Sequence, residues 1–290
     1  MLLSSTNGPV LRKFSCEESI TLMHAAGFDA MDFYFNAGPQ YYNEATDSPA
    51  FKEYFLNLRS MAEEKGMCFN QAHAPYHSSF AEEDKTAQRF QEIARSIRSA
   101  SYLGIDTIVV HPMQHLSYIE RGVPEQLFEI NMDFYHRLLP YCEEYGVKVA
   151  LENMWQRPAG KKIYHSTCSR PEEFIRYLDT LNNEWFTACL DIGHACLVCE
   201  NPADFIRALG GKRLTALHVH DVDGLDDLHT MPYYGIINWD EVMTALKEIN
   251  YQGDLTFEVG GNYFNPLPGE LMPPALQLLA QTGRQLINKI

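Results

Sequence analysis

The sequence predicts an α/β protein, a single-domain (β/α)8 (TIM) barrel, from two observations. First, eight short β-rich segments alternate with eight longer amphipathic segments from one end of the chain to the other. Second, the stretch from Ser4 to Gly8, after the first β-rich segment, is not the glycine-rich phosphate loop typical of an open doubly wound sheet. A closed barrel removes both sheet edges and suits eight such repeats. No linker interrupts the series, so one domain is expected to span residues 1–290.

The predicted strands are short apolar runs that are bounded by turn residues. Eight runs fit this description. In chain order they are Leu2 to Ser5, Ala30 to Phe35, Met67 to Ala72, Thr107 to His111, Val147 to Glu152, Phe186 to Asp191, Arg213 to His220 and Asp254 to Val259.

Eight helices are predicted between and after the strands, because apolar residues recur there at helical spacing. Several carry proline in the first turn and glycine just past the last, as at Pro124 and Gly146, which is the asymmetry that helix ends prefer. The helices are Ser15 to Ala26, Ala50 to Lys65, Asp84 to Leu103, Pro124 to Tyr145, Pro171 to Thr180, Pro202 to Leu209, Trp239 to Ile249 and Pro273 to Asn288.

The composition narrows the class of partner. With 23 basic and 38 acidic residues, the chain has a formal charge of −15, which repels phosphate backbones and anionic lipid. Nucleic acid and membranes are therefore disfavoured as partners, and a small-molecule partner is favoured. The sequence leaves open whether the chain forms a homo-oligomer.

The cysteines and the apolar runs predict the compartment. Seven cysteines without a paired framework indicate reduced thiols, and the single C-x-x-C of Cys196 and Cys199 is interpreted as part of a buried helix start. We find neither a signal-peptide pattern nor an apolar run long enough to span a bilayer. These features predict a soluble cytoplasmic protein.

Residues of the kinds that bind metals collect where the predicted strands end. In a (β/α)8 barrel these ends meet at one mouth, where the active site lies. In strand order, from the third to the eighth, the residues are His73, His111, Glu152, Asp191, His218 with His220, and Glu258.

Three of these residues are carboxylates at the ends of apolar strands, namely Glu152, Asp191 and Glu258. Such groups are costly to bury unless they are paired or bind a cation. A divalent metal ion is the simplest counter-charge, and an oxygen-rich site with one imidazole suits Mn²⁺, Mg²⁺, Co²⁺ or Zn²⁺. Alternation along a strand sends His218 and His220 to the same side, so the pattern alone leaves the choice of imidazole open.

These residues resemble the xylose isomerase-like barrel superfamily, which includes sugar isomerases and epimerases and the apurinic endonuclease IV family. The resemblance covers nearly the whole chain and depends on an ordered set of short motifs. They are Leu151-Glu152-Asn153, Leu190-Asp191-Ile192-Gly193-His194, and the stretch from His218-Val219-His220-Asp221 through Asp227-Leu228-His229 and Gly235 to Trp239.

The resemblance implies a metal that is held by residues after strands five to eight. The family pattern of a ligand His, two variable residues and an acid matches His218 to Asp221, which selects His218 over His220. Two of the implied ligands, Glu152 and Glu258, would also act as the catalytic acid and base. The implied metal ligands are Glu152, Asp191, His218 and Glu258.

The endonuclease branch of the superfamily binds three zinc ions and uses further ligands. In family members thought to act on sugars, the corresponding histidines can bind substrate hydroxyls or a second metal. The matching residues, which are therefore predicted to be substrate-binding or additional metal ligands, are His73, His111, His194, Asp227 and His229.

The chain departs from the sugar-epimerising pattern at two positions. The substrate-binding Arg of those relatives, six residues after His218, is Gly224 here. A substrate-binding Glu expected six residues after Glu152 is Pro158. These two departures argue against a ketose 3-epimerase, whereas they leave the metal-dependent isomerase or epimerase chemistry in general unaffected.

The favoured hypothesis is an isomerase or epimerase of a sugar or sugar derivative, in which a carboxylate moves a proton on a metal-chelated carbohydrate. The alternative is an endonuclease IV-like zinc phosphodiesterase acting on abasic DNA. For that role the loop Asn36 to Asp47 offers Tyr41 and Tyr42, but it contains no Lys or Arg. A binding barrel that has lost catalysis is disfavoured by the complete ligand set.

Overall fold

The computed structural model describes residues 1–35, 48–158 and 162–290. The loop Asn36 to Asp47, with its two tyrosines, lies outside the described residues. The described strands are β1 (Leu3–Thr6), β2 (Ala30–Tyr34), β3 (Cys68–His73), β4 (Thr107–Val110), β5 (Lys148–Glu152), β6 (Trp155–Gln156), β7 (Tyr164–His165), β8 (Phe186–Asp191), β9 (Leu214–His218) and β10 (Leu255–Phe257).

Eight of these strands form one parallel sheet in the order β10-β1-β2-β3-β4-β5-β8-β9, which confirms the predicted (β/α)8 fold. The two ends of the sheet meet just past β9, where Val219 forms a parallel bridge with Phe257. The Val219 N–H donates to the carbonyl of Thr256 over 2.9 Å, and the Glu258 N–H donates to the carbonyl of Val219 over 3.1 Å. Strands β6 and β7 form a separate antiparallel hairpin.

Helices surround the barrel and connect its strands. Among the described residues, no helix is both long enough and apolar enough to cross a membrane. The helices are α1 (Gly8–Leu11), α2 (Cys16–Ala26), α3 (Pro49–Glu64), α4 (Glu83–Leu103), α5 (Val123–Tyr145), α6 (Pro171–Leu181), α7 (Ile192–Leu197), α8 (Pro202–Arg213), α9 (Trp239–Glu248), α10 (Gly261–Phe264) and α11 (Met272–Ile287), with a 3-10 turn at Gly269–Leu271.

Local signals explain where helices begin and end. Before α2, the Ser15 hydroxyl accepts the Glu18 N–H while the Glu18 carboxylate accepts the Ser15 N–H, which forms a capping box. Gly27 ends this helix at φ 99°, a left-handed conformation that favours glycine. The side chains of Asn201 and Asn238 accept N–H groups at the starts of α8 and α9.

Small side chains line the inside of the barrel under the mouth. They form a buried cluster that is separate from the larger core containing Phe33 and Phe55. Each member precedes a polar residue at a strand end by two positions, so alternation directs that polar residue into the barrel as well. The members are Val109, Ala150, Cys189 and Ala216.

The structure differs from the predicted elements mainly at their ends. Strands β4 and β10 stop before His111 and Glu258, and β9 stops at His218, so His220 lies in the following loop. The predicted helix Pro202 to Leu209 continues to Arg213 across a kink at Gly210, where φ is 68° and ψ is 162°. The β6–β7 hairpin has no strong periodic pattern and was not predicted. The segment Ala195 to Val198, interpreted as a buried helix start, is instead the end of α7, and Cys199 is exposed beyond it.

We predict that Gly283→Ala destabilises the fold. Gly283 lies in the last helix, α11, and an added Cβ would overlap Leu3 Cδ1 and approach Phe257 Cε2 to 2.7 Å. Alanine is the better helix former by ~1 kcal/mol, but forcing a methyl group into a packed core costs ~1–3 kcal/mol. Urea denaturation should therefore show a lower free energy of unfolding than for the wild type.

The matched control is Gln281→Ala, which changes an exposed residue of the same helix and should alter stability by less than ~0.5 kcal/mol. A Gly283→Ala protein as stable as the wild type would contradict the close packing of α11 on β1 and β10.

Candidate functional site

The ends of six neighbouring barrel strands bring carboxylates and imidazoles to one mouth. His73, Glu152, Asp191 and His218 are the last residues of β3, β5, β8 and β9. Two further residues, His111 and Glu258, follow β4 and β10 directly. Because all these strands are parallel, their carboxyl ends share one rim, as the sequence predicted.

Four of the residues form a group that we call the first cluster, namely Glu152, Asp191, His218 and Glu258. Nδ1 of His218 lies 3.1 Å from Oε1 of Glu152, 3.3 Å from Oε2 of Glu258 and 4.0 Å from Oδ2 of Asp191. Each residue offers one ligand atom, and these atoms all lie within 4.8 Å of one another. That spacing suits atoms that surround one cation at roughly 2.0–2.3 Å.

Two histidines lie against the Oε2 atom of Glu152. Nε2 of His111 lies 2.9 Å from Oε2 of Glu152, and Nε2 of His73 lies 3.6 Å from the same atom. Nδ1 of His73 lies 2.7 Å from the Ala74 carbonyl, a hydrogen-bonding distance that fixes the ring and leaves Nε2 facing the mouth. Glu152 is therefore the residue on which most of the imidazoles converge.

The backbone around Asp191 holds its carboxylate in place. Asp191 ends β8 and also caps α7, where Oδ1 accepts the His194 N–H over 2.6 Å. The side chain of Asn153 bonds to both the N–H and the carbonyl of Asp191, over 2.7 and 2.9 Å. The helix that begins at once after the strand also brings the His194 ring over the mouth.

A second cluster lies beside the first and consists of His194, His220, Asp227 and His229, whose ligand atoms also lie within 4.8 Å of one another. Oδ2 of Asp227 is 3.0 Å from Nε2 of His229 and 3.4 Å from Nε2 of His194. Trp155 Nε1 donates to the same oxygen over 3.2 Å, whereas the buried Oδ1 of Asp227 accepts no hydrogen bond from the described residues.

His220 connects the two clusters, whereas the family resemblance had selected His218 over it as the metal ligand. Its Nε2 lies 3.0 Å from both carboxylate oxygens of Asp191, and its ring stacks on His229 with centroids 4.0 Å apart. A side chain on Gly193 would overlap the His220 ring, so the glycine makes room for it. The same-side alternation of His218 and His220 was the available signal.

Asp32 is a second residue that the sequence reasoning missed. It lies inside the barrel on β2, is fully buried, and neither carboxylate oxygen has a hydrogen-bond partner among the described residues. Burial raises the pKa of Asp32 to about 6, although His218 and His73 oppose the rise. The available signal was a single carboxylate in the otherwise apolar strand β2, whose sequence is Ala-Met-Asp-Phe-Tyr.

One carboxylate organises the loop that carries Asp227 and His229. Asp221 is fully buried, and its two oxygens accept the N–H groups of Tyr233 and Ile237 together with Nε1 of Trp239. This network ties the chain after β9 to the start of α9. The acid of the family pattern therefore shapes the loop, and it is not one of the clustered ligand atoms.

In the second cluster, imidazoles and carboxylates shift one another's pKa values. Burial alone would lower the pKa of His194, but Asp191 and Asp227 raise it well above its usual range. His229 is partly buried, which would lower its pKa, yet Asp227 and Glu258 raise that pKa to about 10. For Asp227, burial would raise the pKa, but His229 and His194 hold it well below its usual range.

Glu152 shows the same behaviour in the first cluster. Burial would raise its pKa, but His111 and His218 hold it well below the usual range of a carboxyl group. The electrostatic effect of the neighbouring imidazoles thus outweighs burial at this carboxylate, although burial lowers the pKa of His111 itself. A divalent cation binds deprotonated ligands and would take over the stabilisation of the carboxylates, so the donor set of both clusters fits a metal ion.

The clusters open into a cavity of about 300 Å³, which we call the cluster cavity. It exposes polar groups beside the aromatic faces of Tyr76 and Trp155, a mixed lining that is typical of small-molecule sites. The four histidines predicted as substrate-binding residues or additional metal ligands line it, whereas the fully buried His218 and His220 do not. The lining residues from the two clusters and their neighbours are His73, His111, His194, His229, Glu152, Asp227 and Glu258.

Comparison with known proteins shows similarity over most of the chain. The model of the xylose isomerase-like TIM barrel family matches residues 20–282. An uncharacterized protein, MJ1311 of Methanocaldococcus jannaschii, is 28% identical over 73% of this chain and 70% of its own length. The D-psicose 3-epimerase of Enterocloster bolteae is 26% identical over 81% of this chain and 73% of its own length.

Solved structures share the fold over the full length. The crystal structure of an IOLI protein with a bound zinc atom superposes with a TM-score of 0.78 at 20% identity, and the match covers 100% of this chain and 99% of that one. At this identity the likeness shows the fold.

Proposed function

The chain belongs to the xylose isomerase-like TIM barrel family, and from this premise we propose that it is a metal-dependent isomerase or epimerase of a sugar or sugar derivative. One observation carries the proposal. Three carboxylates and one imidazole converge within 4.8 Å at the floor of a cavity of small-molecule size. The similarity to a D-psicose 3-epimerase supports the class of reaction, and the zinc atom bound by the IOLI protein, which shares the fold, is consistent with a cation site.

The first cluster would hold the cation through Glu152, Asp191, His218 and Glu258. A bound divalent ion polarises a carbonyl group and lowers the pKa of the neighbouring C–H and O–H groups. The two glutamates come from β5 and β10, which β8 and β9 separate in the closed sheet. They therefore approach a substrate in the mouth from different directions.

Glu258 is the better placed of the two to remove a proton from carbon. Its side chain is 17% exposed and lines the cavity, whereas the Glu152 side chain is 1% exposed and surrounded by imidazoles. In the proposed reaction Glu258 takes the proton beside the substrate carbonyl. Return of that proton to the former carbonyl carbon, with the hydroxyl proton of the first carbon passing to the former carbonyl oxygen, gives isomerisation. Epimerisation would need a proton on the opposite face of the same carbon. Glu152 would deliver it after taking it from His111, whose Nε2 lies 2.9 Å from Oε2 of Glu152, and solvent would restore both groups.

The residues of the second cluster also suit one alternative function. His194, Asp227 and His229, together with His73 and His111, are the residue types expected of an endonuclease IV-like zinc phosphodiesterase. Their close approach to one another is the observation that favours this alternative. The formal charge of −15 opposes binding to DNA, because DNA affinity comes largely from basic contacts with phosphate.

We expect the purified protein to catalyse solvent-deuterium exchange into a ketose or aldose and to bind one exchangeable Mn²⁺, Mg²⁺, Co²⁺ or Zn²⁺ in the first cluster. NMR in D₂O over a panel of sugars measures the exchange, and elemental analysis measures the metal. Chelation should stop the exchange, and addition of the metal should restore it.

A duplex that contains an abasic site serves as the control substrate. Three zinc ions per chain together with nicking of that duplex, and no exchange with any sugar, would replace the isomerase with the phosphodiesterase.

A further inference from the structure

A second cavity adjoins the cluster cavity on the side of β1 and α1. It has a volume of about 210 Å³. Tyr76, His229 and Glu258 line both cavities, so the two open into the same mouth. A molecule with its reacting carbons beside Glu258 can therefore extend into this second space, which we call the side cavity.

Arg12 is the only Lys or Arg among the described residues that line the side cavity. It directly follows α1, and its side chain is exposed at the rim. Its guanidinium group has no hydrogen-bond or ion-pair partner in the part of the chain that the structure describes. A fixed positive charge thus faces a cavity next to the proposed reaction centre. Glu258 lines the same cavity, but among the described residues no carboxylate forms an ion pair with Arg12.

The neighbouring basic residues are already engaged. Nζ of Lys13 donates to the carbonyls of Phe264 and Asn265 over 3.2 and 3.3 Å, which ties the segment after α1 to the segment after β10. Arg157, at the rim of the cluster cavity, is paired with the carboxylate of Asp226. Among the described basic residues at the rims of the two cavities, Arg12 is the one without such a partner.

We propose that Arg12 binds an anionic group, a phosphate or a carboxylate, at the end of the substrate that is remote from its reacting carbons. The planar guanidinium offers paired N–H donors that match the oxygens of both groups. Thr6 and Asn265, which also line the side cavity, add a hydroxyl and an amide to its lining. This inference depends on the proposed function, and it narrows the substrate to an acidic sugar derivative.

The test compares sugars that differ only in the anionic group. The first pair is D-ribulose and D-ribulose 5-phosphate, and the second is D-fructose and D-fructuronate. We expect the wild type to exchange deuterium with a higher kcat/KM into the anionic member of one pair, and the pair that shows the preference identifies phosphate or carboxylate.

Arg12→Met should lower kcat/KM for the preferred anionic sugar by about 10- to 100-fold, mainly through KM, because one charge-assisted contact is lost. The value for the neutral partner should stay within about twofold. Arg12→Lys should restore part of the loss, since it keeps the charge without the paired donors. Lys212→Gln, which removes one exposed charge at the opposite end of the barrel, is the matched control.

Calorimetric titration with D-ribulose 5-phosphate and with D-fructuronate separates this inference from the proposed function, because binding needs no turnover. Binding that weakens in Arg12→Met supports the inference even when no sugar exchanges deuterium. Failure of both anionic probes to bind the wild type overturns it. Exchange in which Arg12→Met affects neutral and anionic sugars equally, or affects neither, also overturns it and leaves the isomerase standing.

Discussion

Glu258→Gln is expected to remove nearly all solvent-deuterium exchange while the fold stays intact. The loss of a general base alone costs ~10²- to 10⁴-fold in rate. Weakened metal binding should add to this loss, because Glu258 is also one of the four residues of the first cluster. The change preserves side-chain volume, so it opens no cavity. NMR measurement of exchange in D₂O at saturating metal gives the rate for the variant.

The control for this experiment is Glu64→Gln, because Glu64 is an exposed glutamate at the end of α3, on the far face of the barrel. It should exchange deuterium at the wild-type rate. Circular dichroism should give the same spectrum for both variants and the wild type. If Glu258→Gln retains the exchange rate with its metal bound, Glu258 is not the base, and Glu152 becomes the candidate.

Residues at the rim of the barrel could be predicted from the sequence, because the local pattern of apolar and polar residues indicates where a strand ends. Glu152 and Asp191 were predicted as the last residues of their strands, and they are. In a parallel barrel this position alone determines which face of the molecule a side chain occupies. The grouping of these residues therefore followed from the order of strands and needed no long-range information.

The arrangement inside the mouth could not be predicted in the same way. His218 and His220 both point into the barrel, and only the turn of the chain after β9 directs one to Glu152 and the other to Asp191. Asp32 and Arg12 come from segments without a polar motif, and closure of the barrel brings them near the site. Such contacts depend on tertiary packing, which periodicity does not encode.

Because His218 lies against Glu152 and His220 lies against Asp191, substitution of these two histidines should have unequal effects. His218→Ala should nearly abolish metal binding to the first cluster, because Nδ1 of His218 faces all three carboxylates of that cluster. His220→Ala should weaken that binding by only ~10- to 100-fold, the usual cost of losing a residue that orients a ligand, here Asp191. Titration with Mn²⁺ followed by electron paramagnetic resonance measures both affinities.

Two further measurements test the different roles of His218 and His220. His218→Asn places an amide oxygen near the former Nδ1 and should bind Mn²⁺ more tightly than His218→Ala, which a purely structural role for the ring would not produce. Loss of a second, separate Mn²⁺ in His220→Ala would show that the second cluster also binds a cation. The assignment fails if His220→Ala abolishes binding to the first cluster while His218→Ala retains it, because His220 would then be the metal ligand and His218 its support.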